Sequence, residues 1–157
     1  VHHGNGTQHT FEERRDVLFV SLHEDPSQLY PGTGFASETG RGEGNGFTVN
    51  LPVEPYSRDD KYRQLFDTQV VPALDAFEPQ FLLVSAGFDA CAQDPLAHIM
   101  LTPDAFGFMT QQLMAVADRH CSGRLVSMLE GGYHLENLGE CAVQHTRVLK
   151  EVEASSE

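Results

Sequence analysis

Phe81-Leu82-Leu83-Val84-Ser85-Ala86-Gly87-Phe88-Asp89 decides how the rest of the chain is read. Large apolar residues open the stretch, small ones follow, and it stops at a carboxylate. An apolar run without polar alternation is the pattern of a strand buried on both faces of a parallel sheet. The carboxyl end of such a strand faces the crevice where α/β proteins bind ligands. Asp89 then stands at a functional edge. The competing reading is that Asp89 caps or starts a turn, since Ala90-Cys91-Ala92-Gln93-Asp94-Pro95 is rich in turn residues.

Outward from this stretch, strands and helices alternate. Asp16–Leu22 reads as a buried strand ending at Ser21-Leu22-His23, preceded by a turn at Gly4-Asn5-Gly6 and a short helix over Thr7–Arg14. Glu24–Gly46 lacks periodicity and carries Pro26, Pro31 and six glycines, so it is a long loop. Ordered loops longer than about 12–15 residues tend to be functional. Phe47–Leu51 is a second strand closed by Pro52. Asp59 and Asp60 begin a helix kinked or broken at Pro72 and ended by Glu78-Pro79. Thr102-Pro103 caps a helix that runs to about His120, with Phe106, Met109, Leu113, Val116 and Ala117 on one face. Arg124–Leu129 is another buried strand, ending in Glu130-Gly131-Gly132-Tyr133. A last helix covers Leu138–Val152, and the tail Glu153–Glu157 is expected to fray. The order predicts an α/β fold, a mostly parallel sheet with helices on both faces, with residues 1–157 as a single partial domain.

Composition narrows the function classes. The 157 residues hold ten Lys+Arg against 23 Asp+Glu, a formal net charge of −13. That disfavours nonspecific binding to nucleic acid or an anionic membrane and favours cationic ligands. No apolar run approaches the roughly 18 residues of a membrane span, and the first residues are no signal peptide. Cys91, Cys121 and Cys141 are widely spaced and odd in number, which suggests reduced core thiols in a cytosol-like compartment. The chain begins without Met on Val1-His2-His3-Gly4-Asn5-Gly6, a dense polar motif with nothing before it. A truncated chain is the expectation.

In a parallel sheet the carboxyl ends share one edge, which would gather Asp89, Glu130-Gly131-Gly132-Tyr133 and Ser21-Leu22-His23, with His2 and His3 close by. Carboxylate and imidazole on neighbouring strand ends suit zinc or a similar divalent ion. A phenol behind two glycines, whose backbone can approach a ligand closely, can donate to a developing oxyanion.

Five motifs in order make the resemblance specific: His2-His3-Gly4-Asn5-Gly6-Thr7, Ser21-Leu22-His23, Tyr30-Pro31-Gly32-Thr33-Gly34, Ser85-Ala86-Gly87-Phe88-Asp89-Ala90 with Asp94-Pro95-Leu96, and Leu129-Glu130-Gly131-Gly132-Tyr133. Together they resemble the zinc-dependent histone deacetylase family, which includes acetylpolyamine amidohydrolases, over His2 to about Leu149. The last motif is more similar to class II and bacterial members than to class I. The resemblance implies an arginase/deacetylase-like fold with its N-terminal part missing, and a carboxyl-terminal half of the catalytic domain. It implies Zn2+ held by His2, Asp89 and an Asp that would lie just upstream of Val1, as would the family's general-base histidine dyad. His3 is then structural or supports its neighbours.

On the same resemblance, Tyr133 polarises the acetyl carbonyl. Tyr30, Leu96, Gly131 and Gly132 line the substrate pocket. Ser21 and Leu22, with the His2 carbonyl, adjoin a structural monovalent cation, K+. The implied substrates are acetyl-lysine proteins or acetylpolyamines, with no direct nucleic-acid or membrane partner, oligomerisation left open, and a cytoplasmic or, in a eukaryote, nuclear location. Glu130 stays open between an anchoring and a solvated role. His9, His98, His120, His134 and His145 read as structural or surface residues. Two alternatives stand beside the enzyme: a non-catalytic acyl-lysine-binding domain, and an arginase-like metallohydrolase, which would need more Asp/His motifs.

Overall fold

A computed structural model describes residues 1–151, the side chain of Glu151 excepted. The end expected for the last helix, at Val152, and the tail Glu153–Glu157 lie outside the described residues. The chain divides into two compact units, Val1–Tyr56 and Ser57–Glu157.

The first unit holds α1 (Asn5–Phe11), β1 (Phe19–Glu24) and β2 (Thr48–Val53). The two strands are parallel, in register from Phe19 opposite Thr48 to Glu24 opposite Val53. Both elements start and end later than the apolar pattern suggested. Pro52 sits inside β2 rather than closing it, opposite His23. A proline has no N–H to give to a ladder, and an edge position tolerates that loss. The segment between the strands is a loop, as expected, with one short 3-10 turn at Gly42–Gly44.

Side chains from both strands and from α1 hold that loop in place. The His23 ring is fully buried. Its Nε2 lies 2.8 Å from the Gly34 carbonyl, which can only accept, so Nε2 carries the hydrogen. Nδ1 is then the acceptor for the Ser21 hydroxyl at 2.9 Å, and the ring is neutral. By the same logic His3 donates from Nε2 to Gln8 Oε1 and accepts the Thr33 hydroxyl on Nδ1, both at 2.8 Å. Gln8 donates to Glu38 at 2.6 Å, and the other Glu38 oxygen takes the N–H groups of Gly34 and Phe35, each at 2.9 Å. Asn50 of β2 adds a bond to Gln8 Oε1 at 2.8 Å. Burial raises the Glu38 carboxyl, but these donors outweigh it and hold the group below the usual carboxylate range.

The second unit opens with a helical run in three parts: α2 (Asp59–Leu65), a π turn (Phe66–Val70) and α3 (Val71–Phe77). Pro72 lies in the first turn of α3, where its missing N–H costs little. The helical path passes this proline through a π turn, which accommodates the interruption anticipated there. Glu78 ends α3 in the left-handed conformation, φ 51°. Then follow β3 (Leu82–Ala86), α4 (Pro103–His120), β4 (Leu125–Leu129) and α5 (Leu135–Glu151). Thr102 has the extended backbone of an N-cap but no capping hydrogen bond. Its hydroxyl and N–H go instead to the Asp59 carboxylate, at 2.6 and 2.9 Å, and tie α4 to α2.

β3 and β4 are parallel, in register from Leu82 opposite Leu125 to Ala86 opposite Leu129. On one face Ser127 meets His145 of α5, with Oγ 2.8 Å from Nε2, and α5 packs along α4. The other face carries Leu83, Ser85, Val126 and Met128 and is exposed, Leu83 to 69%. Burial of these strands on both faces, expected from their apolar runs, is not what the described residues show. Within the second unit, helices α4 and α5 cover one face, and none of its other described elements covers the opposite one.

The described elements bear out the fold class read from sequence, α/β with parallel strands and helices. All three cysteines are free and buried. Cys141 shares a hydrogen bond with Cys91, and that bond with burial pushes its thiol up. Among the described residues no helix is long and apolar enough to cross a membrane.

Two outcomes test the packing of the first unit. Burial is the main reason the His23 ring is pushed down from 6.5 to about 4. Between those values the unfolded chain binds a proton that the folded chain refuses. Stability is therefore full above 6.5, falls as pH drops through the window, and stops falling on this account below about 4. Urea midpoints measured across the window should show the fall, and His23→Gln should flatten it. Gly34 has φ +92°, and a Cβ there would lie 2.5 Å from His23 Nε2 and 2.6 Å from the His3 ring. Gly34→Ala should cost at least about 2 kcal/mol, from strain and overpacking together, read as a lower urea midpoint at unchanged slope.

Candidate active site

The pairing of β3 with β4 continues beyond the strand ends. Glu130 N–H donates to the Ala86 carbonyl at 3.0 Å, and Phe88 N–H donates to the Gly131 carbonyl at 2.8 Å. These bonds bring the chain after β3 beside the chain after β4. Asp89 is 3% exposed there, and its carboxylate lies on the backbone of Gly131. A Cβ on Gly131 would fall onto that carboxylate, 2.7 Å from its Cγ, so only glycine fits. Gly132 has φ 136°, and a Cβ there would come within 3.0 Å of Leu138 and 3.2 Å of Phe88. The two glycines thus allow a carboxylate and a tightly turned backbone to share one place.

Phe88 anchors Asp89 from below. It is buried against Phe106 of α4 and His145 of α5, with ring centroids 5.3 and 5.7 Å away. His145 is held in turn: the Thr110 hydroxyl gives its hydrogen to the Phe106 carbonyl at 2.6 Å. It can therefore only accept from His145 Nδ1, also at 2.6 Å, which leaves Nε2 to accept from Ser127. Burial pushes this imidazole down, in keeping with a neutral ring.

Beyond Asp89 the turn is fixed by Asp94. One carboxylate oxygen accepts Leu96 N–H at 3.0 Å, and the other accepts Tyr133 N–H at 2.8 Å. The side chain of Asn137 on α5 donates to the Ala92 carbonyl. Leu96 and Tyr133 are about half exposed, 50% and 53%, and so reach solvent from anchored backbone. Glu130 accepts the Ser85 hydroxyl at 3.0 Å, on an exposed surface.

Of the residues singled out from sequence, Asp89, Leu96, Gly131, Gly132 and Tyr133 all belong to this cluster in the second unit. His2, Ser21, Leu22 and Tyr30 belong to the first. There, Glu24 N–H donates to the Val1 carbonyl at 3.0 Å, so the segment bearing His2 runs beside the end of β1. His2 is half-buried and Ser21 buried, while Tyr30 is 79% exposed.

Two features escaped sequence reasoning. Asp94 looked like one more turn residue, although an Asp-Pro-Leu turn with a spare carboxylate oxygen was its visible signal. The Ser127–His145–Thr110 chain had no local signal at all, because its members are distant in sequence.

The donors suit a metal in kind, since Asp89 offers a buried carboxylate and His2 an imidazole. Among the described residues, no three His, Cys, Asp or Glu side chains are grouped closely enough to hold one.

Known proteins resemble this chain over most of its length. A probable deacetylase of Archaeoglobus fulgidus is 44% identical over 136 residues, covering 87% of this chain and 37% of that protein. A histone deacetylase-like amidohydrolase of Pseudomonas aeruginosa is 47% identical over 133 residues, covering 85% of this chain and 35% of its own length. Among solved structures, the HDA15 HD domain superposes with a TM-score of 0.87 at 40% identity, over 95% of this chain and 41% of that one. An acetylpolyamine aminohydrolase from Burkholderia pseudomallei gives 0.85 at 37%, over 94% and 42%. The chain therefore spans little more than a third of the length of these two curated relatives. Residues 1–149 match the histone deacetylase domain, and the chain belongs to that family.

Proposed function

We propose that this sequence is the carboxyl-terminal part of a single catalytic domain, a zinc-dependent amidohydrolase that removes acetyl groups from lysine side chains or polyamines. The observation that carries the reading is the Asp89 carboxylate seated on Gly131, with Tyr133 two residues further along the same backbone. Asp89 and His2 are the metal donors. Bound zinc supplies Lewis acidity at the carbonyl and toward water at neutral pH.

The chain's own residues do the rest. The Tyr133 hydroxyl donates to the acetyl oxygen as it becomes an oxyanion, and its half-exposed ring can meet a substrate without unfolding the turn. Gly131 and Gly132 let that substrate approach the backbone closely. Leu96 and Tyr30 are exposed apolar surface for the acyl-amine stem, and the net charge of −13 favours cationic substrates. Ser21, with its hydrogen committed to His23, keeps oxygen lone pairs for a structural K+ beside Leu22.

In the parent protein, Tyr133→Phe should lower kcat about 10²–10³-fold, the loss typical of one oxyanion donor, with zinc content unchanged. Asp89→Ala should lose zinc and activity together. Wild-type turnover of acetyl-lysine peptide by both variants would overturn the assignment.

The 157-residue chain alone should turn over neither acetyl-lysine peptide nor acetylated polyamine, even with zinc added. Its two proposed donors fall short of the three protein ligands of a usual catalytic zinc site. It also has no assigned general base, a contribution of about 10²–10⁴-fold. Turnover within about tenfold of the parent would show that the catalytic residues are elsewhere.

A further inference from the structure

We infer that Asp94 is the positioning residue for Tyr133, aiming the oxyanion donor and fixing the rim at Leu96 through one shared carboxylate. The inference rests on the catalytic reading of Tyr133 given above. Asp94 is buried, and placing a carboxylate there has a desolvation cost that only good hydrogen bonds offset. It receives them from two backbone N–H groups, Tyr133 at 2.8 Å and Leu96 at 3.0 Å, each charge-assisted. The turn over Pro95 needs one acceptor, which Asn or Ser would also provide. The second oxygen reaches 39 residues along the chain to Tyr133, and an amide side chain has no second acceptor to do this.

Tyr133 needs such an anchor. Its ring is half exposed, so packing does little to orient it, and the residue before it is a glycine at φ 136°. Gly131 is fixed by the Asp89 carboxylate on one side of that hinge. On the other side, Asp94 fixes the Tyr133 N–H. The Asp94 N–H itself donates to the Cys91 carbonyl at 3.2 Å, which ties the anchor back to the turn that follows Asp89. Metal donor, oxyanion donor and rim are thereby referred to one short turn.

The test is a double-mutant cycle in the parent protein, with kcat and KM on acetyl-lysine peptide for wild type, Asp94→Asn, Tyr133→Phe and the double variant. Asp94→Asn should lower kcat about 10–100-fold, the cost of misplacing a reacting group by about an ångström, while KM changes less than about threefold. In the Tyr133→Phe background the same substitution should cost less than about threefold, because no hydroxyl is left to aim. Hydrogen exchange should speed up in a peptide spanning residues 131–135 and stay unchanged in one spanning 95–99, whose Leu96 amide keeps its acceptor, and in α4. An equal loss in both backgrounds, or kcat within about twofold of wild type, would overturn the positioning role. Wild-type turnover by Tyr133→Phe would overturn the catalytic reading and the aiming role with it, a failure distinguishable because exchange still reports whether Asp94 holds the Tyr133 amide. If Asp94→Asn does not fold, Asp94→Ser, which keeps the turn to Leu96 alone, enters the same cycle with the same criteria.

Discussion

A buried carboxylate resting on a glycine backbone is the constraint on which the second unit depends. Asp89 cannot occupy its place unless residue 131 lacks a side chain, and residue 131 is brought there only by the register of β3 with β4. A shift of one residue in that register would set Gly132 or Glu130 against the carboxylate and turn every strand side chain to the opposite face. The Phe88 N–H to Gly131 carbonyl bond extends the ladder one step beyond the strands and locks the register where it matters. Ladder, glycine and carboxylate define one another.

The first unit solves a different problem, a long loop with little regular structure. Backbone groups in such a loop must still find partners where water is excluded. Here they find side chains from α1 and both strands. Glu38 reaches two loop N–H groups while Gln8 and Asn50 secure Glu38 and each other, and the neutral His23 takes the Gly34 carbonyl. Because every link is polar and several are buried, removing one member leaves partners unsatisfied, at about 1–3 kcal/mol for each group. The loop's order is thus a property of a network, not of its own sequence.

These two solutions explain what was legible in the sequence. The strands that lead to Asp89 and Tyr133 were readable, although they stop earlier, at Ala86 and Leu129, because an apolar run that gives way to polar residues marks the edge of a sheet. The helix end at Glu78-Pro79, the helix start at Thr102-Pro103 and the long loop followed from local chemistry as well. Local chemistry misleads where a partner is remote. Thr102 has every local reason to cap α4, yet Asp59, 43 residues away, takes its hydroxyl. The apolar runs Phe81–Val84 and Leu125–Leu129 signal burial on both faces, but composition alone cannot say which face a neighbour covers. His145 carries no periodic signal, and its bonds to Thr110 and Ser127 exist only once α4, α5 and β4 are assembled.

A last consequence concerns how firmly the proposed chemistry is held. β3 and β4 bear the candidate site, yet most of their residues are not fully buried, and one face carries Leu83, Val126 and Met128 in the open. Core packing is therefore not what fixes the groups at the strand ends. Short-range bonds do so: Phe88 to Gly131, Asp94 to Tyr133 and Leu96, Asn137 to Ala92. Phe88, wedged between Phe106 and His145, further connects that cluster to the helical core. Such a site keeps its local geometry so long as its turn and its ladder survive, and the exposed sheet face then bears on association and solubility more than on where Asp89 and Tyr133 stand.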